Sequence, residues 1–118
     1  MYQAEASVNF PRTARLLTAA DYGQVFKKNK RFADRYWTVL VRPGDEQPAR
    51  LGMAMAKKRA KRAVDRNKLK RVVRECFRVQ RHNLAGLDIV VMNRDAAASA
   101  SKATLHQSID SLLAKIAA

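Results

Sequence analysis

Cysteine is nearly missing from this chain of 118 residues; the one present, Cys76, cannot form an intramolecular disulfide. Proline (three) and glycine (four) are also scarce, so no Pro- or Gly-rich linker divides the sequence. Acids number ten against 24 Lys and Arg. A nuclease working through two metals needs several carboxylates converging on one site, and here they are scattered with no DxD or ExK cluster. His82 and His106 stand far apart, with no His/Cys spacing suited to zinc. There is no Walker loop, no GxGxxG and no nucleophile elbow. No apolar run nears the ~18 residues needed to span a bilayer. The opening MYQAEASVNF has neither a charged n-region nor an apolar h-region. The expectation is a soluble cytoplasmic protein that offers a binding surface and no catalytic apparatus.

What is present is positive charge, and it is concentrated. Residues 57–81 hold twelve Lys or Arg against Asp65 and Glu75, a net of +10 out of +14 for the whole chain. Such a field displaces counterions from a nucleic-acid backbone; the bland alternative is a solvated basic face. Within it Leu69, Val72, Val73, Cys76 and Phe77 fall at helical spacing and mark a buried face. Arg66, Lys70, Arg74 and Arg78 recur every four residues as a ridge on the same helix. Cys76 reads as a small buried hydrophobe, and His82 as a helix-end cation rather than a general base.

Along the chain, residues 1–16 read as an extended, flexible arm made basic by Arg12 and Arg15. A single α/β domain over residues 17–118 follows. Thr18 is the expected N-cap of a first helix running to about Lys28, with Asp21 three residues on and Leu17 stapled against Tyr22. Tyr36 to Arg42 reads as a strand, and the Pro43–Pro48 segment as a turn. In Arg50 to Ala56, large Leu51, Met53 and Met55 alternate with small Gly52, Ala54 and Ala56. The two strands are expected to pair as an antiparallel hairpin. The small-residue face admits two readings: a partner approaching the backbone, or a helix packed tightly on it. The basic helix is expected from about Asp65 to Arg81. Gly86 closes the next connection, Leu87 to Asn93 is a buried strand, and Leu105, Ile109, Leu112, Leu113 and Ile116 define a last amphipathic helix. Tyr22 and Phe26, at i and i+4, suit either base stacking beside cations or core packing.

The stretch Ala63 to Glu75, AVDRNKLKRVVRE, resembles the signature of the bacterial ribonuclease P protein subunit. That family carries an Arg-Asn-Arg triplet, a Lys-Arg pair and a further Arg on one helix. It also has an aromatic pair four apart in its first helix (here Tyr22 and Phe26). A Gly-containing strand leads to two lysines (here Leu51-Gly52 through Lys57-Lys58), and an apolar strand ends near a basic residue (here Ile89 to Arg94). The resemblance covers about Arg15 to Ile116. It departs at the third triplet position, where Lys68 keeps the charge and loses the bidentate fork of Arg.

The resemblance implies an α+β two-layer sandwich with a four-stranded sheet in the order α-β-β-β-α-β-α. The fourth strand comes from splitting Arg31 to Arg42. It also implies a left-handed βαβ crossover, against the usual right-handed rule. The implied function is that of the small partner of a catalytic RNA. That RNA, with Mg2+ held mainly by itself, removes the 5′ leader of precursor tRNA. Arg66, Asn67, Lys68, Lys70, Arg71 and Arg74 would face the catalytic RNA; Tyr22, Phe26, Leu40, Ala54 and Lys58 would line a leader cleft. No catalytic residue, membrane or obligate protein partner is expected. The competing reading is a structural RNA-binding protein or RNA chaperone without a processing role.

Overall fold

The computed structural model describes residues 19–44 and 49–117; the basic arm, the Leu17 staple, the Thr18 cap and turn positions 45–48 lie outside them. Among the described residues three α-helices and four strands follow the expected order: α1 (Ala19–Lys27), β1 (Lys30–Ala33), β2 (Trp37–Pro43), β3 (Arg50–Ala54), α2 (Ala63–Gln80), β4 (Leu87–Asn93) and α3 (Lys102–Ala117). The sheet is mixed, with strand order β1-β2-β4-β3.

Alternation along the strands explains the layers. Trp37, Val39 and Val41 of β2, Leu51 of β3, and Ile89 and Val91 of β4 point into the main core. There they meet Leu69, Val72, Val73, Cys76 and Phe77 of α2 and Leu105, Ile109, Leu112 and Leu113 of α3. Ile116 packs partly buried against the same core. The opposite face is thinner: Leu40 and Val90 form a small cluster with Val25 of α1, and Tyr22, Ala54 and Met92 pack against it. Thus α2 and α3 cover one face of the sheet, and α1 lies on the other.

The expected β2–β3 hairpin is not formed. β4 lies between the two strands, antiparallel to β2 over seven register pairs and parallel to β3 over five. The turn signal at Pro43-Gly44 reverses the chain, but the return strand lands one position further across the sheet, about 10 Å at ordinary strand spacing. LDIVVMN takes the vacant slot because its apolar run is suited to burial on both faces, and α2 supplies the crossover that a parallel neighbour requires. The hairpin that does form joins β1 to β2. Its turn rests on a side chain: Asp34 Oδ1 accepts the Tyr36 and Trp37 N–H groups at 2.8 and 3.0 Å. Gly86 takes φ 83°, the left-handed conformation that glycine tolerates, on entry to β4.

The helices start and stop close to expectation. α2 begins at Ala63, two residues before Asp65, and a short turn, Arg81–Leu84, holds an exposed His82 at its end. α3 is capped by Ser101, whose Oγ accepts the Thr104 N–H at 3.2 Å. Between the two helices Cys76 Sγ lies 3.1 Å from His106 Nδ1, and His106 Nε2 lies 3.1 Å from Glu75 Oε1. A carboxylate only accepts, so Nε2 carries a proton toward Glu75. Cys76 is buried, and its thiol also donates to the His106 carbonyl at 3.9 Å. Burial pushes its thiol pKa up, and the nearby Asp110 and Glu75 carboxylates add to the rise.

Candidate nucleic-acid interface

Two surfaces carry the candidate residues. On α2 the burial of Leu69, Val72, Val73, Cys76 and Phe77 turns the cations outward. They are not equivalent. Asn67 and Arg71 are exposed and make no side-chain hydrogen bond or ion pair with the described residues. Lys70 and Arg74 are half-buried at the edges. Arg66 bends back: its Nη1 donates to the Ala60 and Lys61 carbonyls, both at 2.9 Å, and so closes the turn before α2. Lys68 also points inward. Its Nζ donates to the Ala98 and Ala100 carbonyls at 3.2 and 3.1 Å, tethering the segment before α3. Two of its three ammonium protons are thereby used. All four residues of the every-fourth-residue ridge are half-buried, with Arg66 serving as a structural clamp, and the exposed polar positions are Asn67 and Arg71 beside it.

The second surface is on α1. Tyr22 and Phe26 stack, with ring centroids 6.4 Å apart and planes 19° from parallel. The rings differ in burial: Tyr22 packs against the small cluster, while Phe26 is 49% exposed. The Met53 N–H donates to the Tyr22 hydroxyl at 3.1 Å. A Cβ at Gly52 would stand 2.6 Å from the Tyr22 ring, so the missing side chain is what lets the ring lie on β3. The small-residue face is therefore partly occupied by the protein's own Tyr22. Ala54 flanks the same cluster and Leu40 is buried beneath α1, 7% exposed. Lys58 is exposed in the short turn Lys57–Arg59 beyond β3. The structure joins Tyr22, Leu40 and Ala54 in one patch and stacks the half-exposed Phe26 on Tyr22.

Two residues that hold these surfaces are not evident from the sequence pattern. Arg50 clamps α1 to the sheet. Its Nε and Nη2 grip both oxygens of nearly buried Asp88 at 2.9 Å, and Nη1 reaches Asp21 at 3.1 Å. The hydrogen bond to Asp88 leads the causes that raise the Arg50 pKa. Asp21 thus pairs across space with Arg50, in addition to its place in the first turn of α1. Asn93, buried at the end of β4, accepts the Ala56 N–H at 2.7 Å and so fixes the exit from β3 toward Lys57 and Lys58. A buried acid at strand position 88 and a buried amide at 93 are the sequence signals for both.

Among the described residues no three His, Cys, Asp or Glu gather as a metal site. The carboxylates beside the cleft, Asp21 and Asp88, are engaged by Arg50. This donor set does not fit a protein-held Mg2+.

Fold and surface together define a small α+β protein with a cationic helix on one side of a mixed sheet and an aromatic shelf on the other. The family model described as Ribonuclease P matches residues 10–117, and the chain belongs to that family. The ribonuclease P protein component of Pseudoalteromonas translucida (strain TAC 125) is 41% identical over 108 residues, covering 92% of this chain and 77% of that protein. That of Thioalkalivibrio sulfidiphilus (strain HL-EbGR7) is 44% identical over 107 residues, 91% of this chain and 89% of that protein. The solved RNase P protein of Staphylococcus aureus superposes with a TM-score of 0.77 at 31% identity, covering 86% of this chain and 93% of that one. For the RNase P protein of Thermotoga maritima the TM-score is 0.76 at 34% identity, covering 86% and 96%. Membership makes the chain a protein component of ribonuclease P, an endoribonuclease of tRNA processing that is a ribonucleoprotein, and brings an RNA partner with it.

Proposed function

We propose that this chain binds the catalytic RNA of ribonuclease P through α2 and guides the 5′ leader of precursor tRNA across the α1 face. The observation that carries the proposal is the pairing of a cation-rich helix with a stacked, half-exposed aromatic pair on the opposite face of the sheet. Cations follow phosphates while rings accept bases, a combination suited to single-stranded RNA. Asn67 donates and accepts, so it orients a phosphate or ribose between charged neighbours. Arg71 and Arg74 supply the phosphate contacts beside it, with Lys70 as a further point charge. Arg66 and Lys68 act first as clamps, presenting their neighbours and lending charge to the same field.

In this proposal cleavage belongs to the RNA, and Mg2+ is held mainly by RNA phosphates. The protein supplies affinity and alignment and works in the cytoplasm, without an obligate protein partner. The test is a processing assay with the purified catalytic RNA and precursor tRNA at low Mg2+. Adding the protein is expected to raise the rate of leader removal. An RNA chaperone without a processing role would speed annealing of unrelated RNAs and leave leader removal unchanged.

A further inference from the structure

A hollow of about 440 Å3 opens where the end of α1 turns into β1, lined by Lys28, Asn29, Lys30, Val41, Arg42 and Pro43. Its origin is a mismatch of strand lengths. The last β1–β2 pair is Lys30 with Val41, so Arg42 and Pro43 of β2 run past the edge strand and the chain leaving α1 bridges the corner. Among the described residues that line it, three are cations and none is an acid. Arg42 stands directly across the ladder from Asp88 and so on the same face. Both oxygens of Asp88 are held by Arg50 at 2.9 Å, which leaves Arg42 without a carboxylate among the described residues. The Lys30 Nζ lies 5.6 Å from the Phe32 ring. The end of α1 would ordinarily present bare carbonyls to an anion. Here Asn29 Nδ2 caps those of Val25 and Phe26 at 2.7 and 3.4 Å. Lys28 and Arg42 bring like charges to the hollow, and an entering anion relieves their repulsion; Lys30 shares the face of Val41 and Phe32 instead.

We infer that this hollow seats a phosphodiester of single-stranded RNA, in the distal part of the leader after it has passed the Tyr22–Phe26 shelf. Phe26 lies in the last turn of α1 and the hollow begins two residues later at Lys28, so shelf and hollow adjoin. The inference rests on the function proposed above and extends it by a second contact on the same strand.

The experiment uses the holoenzyme assembled with the unaltered chain or with Lys28→Gln/Arg42→Gln. Each is titrated with precursor tRNAs whose leaders are shortened one nucleotide at a time, down to mature tRNA. Both should bind mature tRNA and the shortest leaders equally. Beyond a threshold length the unaltered holoenzyme gains about fivefold to tenfold in affinity that the variant lacks, and the variant's salt dependence becomes shallower. Lys28→Gln alone, at an exposed position, gives the same pattern in smaller degree and guards against a fold defect in the double variant. Equal affinity of variant and unaltered holoenzyme at every length overturns the inference. So does an equal loss that includes mature tRNA, or a loss of affinity for the catalytic RNA. Phe26→Ala in the same series separates the two readings. If it too leaves precursor affinity intact, the leader-guiding function fails; if Phe26→Ala loses affinity and the lysine and arginine variants do not, only the hollow is wrong.

Discussion

Gly52 shows how a single absent side chain shapes the α1 face. Its hydrogen leaves room for the Tyr22 ring, and a methyl there meets the ring at 2.6 Å. Gly52→Ala therefore pushes the ring off β3 or bends the strand, at an expected cost of about 1–3 kcal/mol. A thermal melt checks the stability, and loss of the Tyr22 hydroxyl contact to the Met53 N–H is checked by the Met53 amide shift. Cys76 makes a second prediction. Burial raises its folded pKa above the ordinary thiol value of about 8.5. The buried neutral thiol thus contributes stability in full below that value, and the contribution is lost as pH climbs from there toward the folded pKa. Melting temperatures between pH 7 and pH 10 should fall more steeply for the unaltered protein than for Cys76→Val.

Among the elements, α2 was the most legible and the sheet order the least. Apolar spacing in α2 and α3 and the apolar run 89–92 of β4 each depend on neighbours within one segment, and all three lie where the pattern puts them. The β2–β3 hairpin was misread because a turn signal reports local reversal, whereas strand adjacency depends on which distant segment most needs burial on both faces. The β1–β2 turn carries no Gly or Pro, and its Asp34 becomes a turn-former only once Tyr36 and Trp37 offer their N–H groups. In the same way, residue type identified the cations of α2 but not which ones turn inward. That division predicts different phenotypes along one helix. Lys68→Ala frees two carbonyls before α3 and is expected to cost about 1–2 kcal/mol of stability. Arg71→Ala, at an exposed position, is expected to leave the melting temperature unchanged and to weaken catalytic-RNA binding by about 1–3 kcal/mol. Chemical denaturation and RNA titration of both variants check the division; an unstable Arg71→Ala or a fully stable Lys68→Ala would contradict it.

Over the whole molecule, a net charge of +14 sets the affinity scale and the two faces of the sheet divide its use. In the proposed function α2 contacts phosphates and releases counterions, so binding of the catalytic RNA should weaken steeply with salt, and Arg71→Ala should reduce the log–log slope by roughly one contact. The α1 face in the proposed function takes a different RNA, the leader, through the rings. Tyr22 is a poor probe of that role because it is packed and hydrogen-bonded, whereas Phe26 is half exposed. The most direct measurement is therefore the affinity of holoenzyme carrying Phe26→Ala for precursor and mature tRNA, side by side with the unaltered holoenzyme. The division of labour predicts a loss of roughly 1–3 kcal/mol for precursor tRNA, little change for mature tRNA, and an unchanged melting temperature. Equal losses for both tRNAs, or none for either, would contradict it.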